Sequence, residues 1–150
     1  MLGTNVIDAA GVWALVATLV LATEVGLVLR SRNGRLRTAG PATGGWALVR
    51  ASCSGSARVH LLQLSSPVCS PCRQTAALLT ELAARRLGVG HREIDVAERP
   101  DIARELPVTR TPTVVAFGPD GPELLRVSGV PRLPELEAAI APGRAEAPPV

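Results

Sequence analysis

The sequence predicts an α/β domain, a mixed central sheet flanked by helices, preceded by one N-terminal transmembrane helix. Three observations carry that prediction. A long apolar stretch lies near the N-terminus, strand and helix patterns alternate from residue 58 onward, and Cys69 and Cys72 stand where one such strand gives way to a helix. A chain of 150 residues holds one compact domain of ordinary size plus an appendage.

Composition narrows the classes. All 16 basic side chains are arginine, Tyr is absent and Phe occurs once, so Ala, Val and Leu must build the core. This arginine-only, GC-rich bias points to a bacterial source. The net charge of +3 is modest, and four of the arginines sit in one short run. Basic residues are not interleaved with aromatics that would stack bases, which sets nucleic acid aside as a partner. Three cysteines are too few for a disulfide scaffold.

Residues Ala9 to Leu29 read AAGVWALVATLVLATEVGLVL. As a helix these span about 31 Å at roughly 1.5 Å per residue, enough to cross a hydrocarbon core. Glu24 is the objection. Ten Val and Leu residues contribute about −3 to −6 kcal/mol on the insertion scale. A charge at mid-membrane costs roughly 2.5–3.5 kcal/mol, and Glu24 is off-centre, where it can protonate or snorkel. Insertion is favoured. A cleaved signal peptide fits less well, because no Lys or Arg precedes the run and the run exceeds an ordinary h-region. A buried helix of a soluble domain is the remaining alternative.

The organisation that follows is a short flank over 1–8, a membrane span over 9–29, an Arg-rich juxtamembrane segment and flexible linker over 30–45, a domain over 46–141 and a disordered tail over 142–150. Arg30, Arg32, Arg35 and Arg37 open the third of these, and TAGPATGG closes it. The tail, PGRAEAPPV, is rich in Pro and Ala.

Within the domain, WALVR (46–50) reads as a short first strand. RVHLLQL, Arg58 to Leu64, is apolar enough for a central strand buried on both faces. A helix runs from Ser70 to Leu87, with Leu79, Leu82 and Ala83 on its buried face and the pair Glu81 and Arg85 outside. Gly88 and Gly90 end it. HREIDV is the second strand, PDIAREL a short helix opened by Pro100, and TPTVVAF the third strand. The turn PDGP returns the chain through ELLRVSG, and Pro134 opens a last helix presenting Leu136 and Ile140.

The residues alone leave the cysteine pair three readings: a redox pair, half of a metal site, or two small core residues. A zinc site needs four ligands, and Cys53, His60 and His91 are the spare candidates, at no metal-ligand spacing. CxxC beside strand–helix–strand patterning favours redox chemistry. Cys53, in the loop-like ASCSGS, reads as an incidental thiol. His60 and His91 fall in strand patterns and read as structural.

The order of elements, CxxC at the start of the first long helix and TPT at a strand entrance about 40 residues later resemble the thioredoxin family. The resemblance covers roughly Arg58 to Ala141. It implies a thioredoxin-like fold and thiol–disulfide exchange, with Pro112 as a cis proline facing the sulfurs and Gly129 leaving room for a substrate chain. Cys69 at the helix N-terminus faces free backbone N–H groups and the positive end of the macrodipole, which lowers a thiol pKa. It is the expected exposed nucleophile. Cys72, one turn in, is the expected resolving thiol. Ser70 and Pro71 separate them, Pro71 suiting a first turn. Thr111 and Pro112 would line the substrate groove, and Arg73 and Arg110 would add positive potential near the sulfurs.

Two departures stand out. Where thioredoxins carry Trp-Cys-Gly-Pro-Cys, this chain has Val68, Cys69, Ser70, Pro71 and Cys72, which removes a flat apolar wall beside the nucleophile. Six residues before the first cysteine, the family's buried aspartate is replaced by Gln63, which cannot accept the proton of the resolving thiol.

The resulting expectation is a membrane-anchored thiol–disulfide oxidoreductase that reduces protein disulfides. It needs no cofactor and no metal, only an electron donor such as a thioredoxin-reductase-like or membrane donor. Its partners are disulfide-containing proteins and, through the first helix, membrane lipid. Four arginines after the span against none before it place the domain in the cytoplasm by the positive-inside rule. The alternatives are an exported, tethered thioredoxin serving cytochrome c maturation or disulfide traffic, and a non-catalytic binding module. One substitution tests the second departure. Gln63→Asp is expected to raise the disulfide-reduction rate near neutral pH, and an unchanged rate would show that position 63 is not the proton-accepting site.

Overall fold

The computed structural model describes residues 4–38, 46–50 and 57–141. The chain divides into two compact units, one ending at Asn33 and the other beginning at Gly34.

The first unit is a single helix, α1 (Thr4–Arg32). It contains the expected span and extends beyond it at both ends, so the flank is helical from Thr4, and Arg30 and Arg32 lie in its last turn. Over Ala10–Ser31, 22 residues, it is long and apolar enough to cross a bilayer, a criterion that signal sequences also meet. Its threonines are compatible with lipid. Thr18 and Thr23 each donate a hydroxyl hydrogen bond to the carbonyl four residues earlier, at 2.8 Å, so neither presents an unsatisfied group.

The second unit has five strands: β1 (Leu36–Thr38), β2 (Val59–Ser65), β3 (Val89–Asp95), β4 (Thr113–Phe117) and β5 (Glu123–Ser128). Their order across the sheet is β1-β5-β4-β2-β3. Strands β2 and β3 are parallel, and the other neighbours are antiparallel. The parallel pair is joined by α3 (Ser70–Arg85), the crossover that parallel strands require. The remaining helices are α2 (Trp46–Val49), α4 (Pro100–Glu105) and α5 (Leu133–Ala139).

All seven residues of β2 are buried, as expected of a largely apolar strand covered on both faces. One core layer joins Val59, Leu61, Val114 and Val127 to Leu79 and Leu82 of α3 and to Leu136 and Ile140 at the C-terminal helix. The other joins Leu62, Leu64, Val115 and Phe117 to Ile102 and Leu106 around α4, with Trp46 packed against it. The odd and even residues of β2 serve opposite layers, which is the side-chain period of a strand.

Three expectations are corrected. WALVR is not a strand: residues 46–49 form the short helix α2. Its indole lies 5.4 Å from both the Phe117 and His60 rings, centroid to centroid. Four residues carry too little propensity to decide, and burial of the indole decides instead. Residues 36–38, read as juxtamembrane linker, form β1, which pairs antiparallel with β5 through Leu36 and Val127. Leu36 packs on the core while Arg35 and Arg37 are exposed, a period-two alternation hidden beneath the charge run. The third correction is the end of α3, which stops at Arg85 with an extended cap at Arg86; Gly90 belongs to β3. Gly88, with φ +83°, makes the turn, and its carbonyl accepts from the Arg58 and Val59 amides. The TAGPATGG linker from Ala39 onward, Cys53 and the tail over 142–150 lie outside the described residues.

The β4–β5 turn has one narrow point. Gly121 adopts φ +94°, and a Cβ there would overlap the Trp46 indole. Gly121→Ala therefore combines left-handed strain with displacement of a core aromatic. A loss of about 2–4 kcal/mol is expected from urea unfolding of the variant; a loss below about 0.5 kcal/mol would show that the indole is not held there.

Candidate active site

The site forms where β2 ends. Its last residue, Ser65, is followed by the loop Ser66–Val68 and then by Cys69, the N-cap of α3. An N-cap side chain takes up one of the free amides of the first turn, and here the acceptor is sulfur: Cys72 N–H donates to Cys69 Sγ at 3.1 Å. Pro71 occupies the first turn, where its missing donor costs nothing. Its carbonyl accepts from the Thr75 hydroxyl at 2.9 Å, which pins the turn from inside.

Cys69 and Cys72 form a disulfide, with an S–S distance of 2.02 Å and Cα atoms 5.2 Å apart. Cys69 keeps 9% of its surface and Cys72 2%. Cys69 is thus the more accessible sulfur, though less exposed than its place at the helix end suggests. Val68, just before it, is 95% exposed.

The second wall of the site comes from the entrance to β4. Leu64 pairs with Thr113 across the sheet, so the residues before Thr113 meet the loop after β2. The Thr111–Pro112 peptide is cis, Pro112 is buried, and the Thr111 and Ser66 hydroxyls are 3.1 Å apart. Gly129, with φ +100°, donates its N–H to the Pro112 carbonyl at 2.7 Å. The arrangement joins Cys69, Cys72, Thr111, Pro112 and Gly129 at one end of the sheet. Ser70 is exposed on the first turn. Arg73 and Arg110 are also exposed, and among the described residues neither guanidinium donates to a sulfur. What Arg110 supplies is its carbonyl, which accepts from Thr113 Oγ1 at 2.8 Å.

Gln63 lies beneath the disulfide, fully buried. Its amide nitrogen donates to the Cys72 carbonyl at 2.9 Å and to Ser65 Oγ at 2.8 Å, with Glu93 Oε1 at 3.1 Å. The Ser65 hydroxyl in turn donates to Glu93 Oε1 at 2.5 Å. Sequence reasoning missed Ser65 and Glu93. Glu93 stands opposite Gln63 in the parallel register of β2 and β3, and that register is the signal that would have found it. Glu93 also bears on Gln63→Asp, because the new carboxylate would face an existing one, and like charges at this range resist joint ionisation. The two histidines lie outside the site. His60 packs on Trp46, and His91 Nδ1 meets the Thr80 hydroxyl at 3.2 Å. Burial lowers the pKa of both rings.

Comparison with known proteins gives a consistent result. The thioredoxin family model matches residues 50–142, so α1, β1 and α2 lie outside the match. A thioredoxin from Mycolicibacterium smegmatis is 33% identical over 78 residues, 50% of this chain and 69% of that protein. Oxidised mitochondrial thioredoxin 3 from Saccharomyces cerevisiae superposes with a TM-score of 0.50 at 32% identity, covering 56% of this chain and 77% of that one. A mutant thioredoxin from Halobacterium salinarum superposes with a TM-score of 0.56 at 25% identity, covering 75% and 100%.

Proposed function

The chain belongs to the thioredoxin family and is a thiol–disulfide oxidoreductase, and on that premise we propose that it reduces protein disulfides from a single-pass membrane anchor. The observation that carries this reading is the Cys69–Cys72 pair seated at the N-terminus of α3 beside the cis Thr111–Pro112 peptide.

In the dithiol form, the Cys69 thiolate attacks one sulfur of a substrate disulfide. The substrate S–S bond breaks, a mixed disulfide forms on Cys69, and the other substrate sulfur leaves as a thiolate that takes up a proton. Cys72 then loses its proton and attacks Cys69 Sγ, which closes the internal disulfide and releases the second substrate thiol. The substrate gains two electrons and two protons. A reductase-like or membrane electron donor returns the pair to the dithiol. First-turn amides favour the thiolate on Cys69 through hydrogen bonds and the helix dipole. Thr111 and Pro112 form one side of the groove, and exposed Val68 offers an apolar contact in place of the family's tryptophan. Gly129 keeps the backbone beside Pro112 free of a side chain.

The anchor reading rests on the largely apolar 22-residue stretch Ala10–Ser31, longer than the roughly 7–15 residues of a signal-peptide h-region. Arg30, Arg32, Arg35 and Arg37 cluster at and just beyond the C-terminal end of that stretch, and residues 1–9 hold no Lys or Arg, which favours a cytoplasmic domain. In that compartment the pair is held as the dithiol and works as a reductant.

Insulin reduction by the full-length protein in detergent tests the chemistry. Wild type is expected to be active, Cys69→Ser to fall to background, and Cys72→Ser to retain a mixed disulfide on Cys69; equal activity of wild type and Cys69→Ser would defeat the reading. Orientation has its own measurement. Cys69 in intact cells is expected to resist a membrane-impermeant thiol reagent until lysis, and labelling without lysis would place the domain outside.

A further inference from the structure

Gln63 has no exposed surface, yet its amide oxygen meets no donor among the described residues. Both hydrogens of the same amide's nitrogen are committed, to the Cys72 carbonyl and Ser65 Oγ, with Glu93 Oε1 3.1 Å from the nitrogen. The Cys72 carbonyl and the Glu93 carboxylate can only accept, so the nitrogen must face them and the oxygen must face away. The chain of bonds has one polarity: Ser65 donates to Glu93, and Gln63 donates to Ser65 and to Cys72. Glu93, the terminal acceptor, and the Cys72 carbonyl together fix which way the buried amide points.

A buried acceptor without a donor is costly to leave in place. In a site otherwise satisfied, it points to a donor that exists in another state of the protein. Reduction creates one. Two electrons and two protons from a thiol reductant break the Cys69–Cys72 bond and leave an S–H on each cysteine. Cys72 is the residue whose backbone the Gln63 amide already holds.

We propose that Gln63 Oε1 accepts the Cys72 S–H in the dithiol form, and that Glu93 is a positioning residue holding the amide in the receiving orientation. The proposal rests on the redox reading of the cysteine pair. Its consequence is thermodynamic: the oxygen is unpaired in the disulfide and paired in the dithiol, so Gln63 favours the dithiol and makes the disulfide more oxidising.

The test is the equilibrium of the full-length protein, in detergent, with mixtures of reduced and oxidised glutathione, read by alkylation and mass. Gln63→Met keeps the length of the side chain and removes the oxygen. It is expected to shift the equilibrium three- to tenfold toward the disulfide, at most about 30 mV for this two-electron couple. Glu93→Ala removes one of the two acceptors that fix the amide and frees the Ser65 hydroxyl to donate to the Gln63 oxygen in both states, so it is expected to shift the equilibrium in the same direction, by less than Gln63→Met. Glu93→Gln retains the acceptor and is expected to match wild type. An unchanged or oppositely shifted equilibrium in Gln63→Met overturns the role of Gln63, and Glu93→Gln behaving like Glu93→Ala overturns the role of Glu93. A misfolded Gln63→Met leaves the two Glu93 variants, altered at an exposed position, to decide. Failure of wild type to interconvert between disulfide and dithiol would instead defeat the redox reading.

Discussion

Seven consecutive residues of β2 are withdrawn from water, and a strand so placed must find a partner for every backbone donor and acceptor within the protein. It does so with parallel β3 on one side and antiparallel β4 on the other. Both registers are thereby set by the core, and so is the point where β2 stops. The loop that carries Val68 and Cys69 starts from that point, and the cis Thr111–Pro112 peptide starts from its neighbour, one residue before Thr113. The CxxC turn and the cis proline share one end of the sheet because two buried strands have no freedom to slide. A one-residue slip would turn every apolar side chain of β2 to the opposite layer.

The same strand carries a chemical gradient. On the face toward α3, Val59 and Leu61 are apolar, then Gln63 and Ser65 are polar as the strand passes beneath the CxxC turn. Two polar side chains in a core need partners, and those available are a main-chain carbonyl of the first helical turn and a carboxylate from the adjacent strand. The region beneath the disulfide is thus a small hydrogen-bonded network where an apolar contact would otherwise lie. At the helix end, packing and reactivity share the same atoms, since the Cys69 sulfur that caps α3 accepts from the Cys72 amide, a bond that favours negative charge on that sulfur.

The scarcity of aromatic residues concentrates the opposite layer on few contacts. The single Phe, Phe117, and Trp46 face each other with His60 beside them. The closing turn of the β4–β5 hairpin must then present a glycine, because the indole fills the space that a side chain at position 121 would need.

Local pattern along the chain carries a limited set of features. The largely apolar run of β2, the helical period after Ser70, the cysteines at the boundary between them and a run long enough to cross a bilayer all show within a dozen or two residues. Those features sufficed for the fold class and for the reactive pair. Tertiary structure alone decided the rest, in each case through a partner remote in the chain. Leu36–Thr38 is a strand because β5 offers an edge and the core accepts Leu36; without that edge it reads as a charged linker. Trp46–Val49 is helical because the indole must reach Phe117. Glu93 belongs beneath the disulfide because the β2–β3 register sets it opposite Gln63 across a separation of 30 residues. Periodicity encodes which face a residue takes, whereas its neighbour on that face is chosen by strand pairing, and pairing is a property of the folded chain.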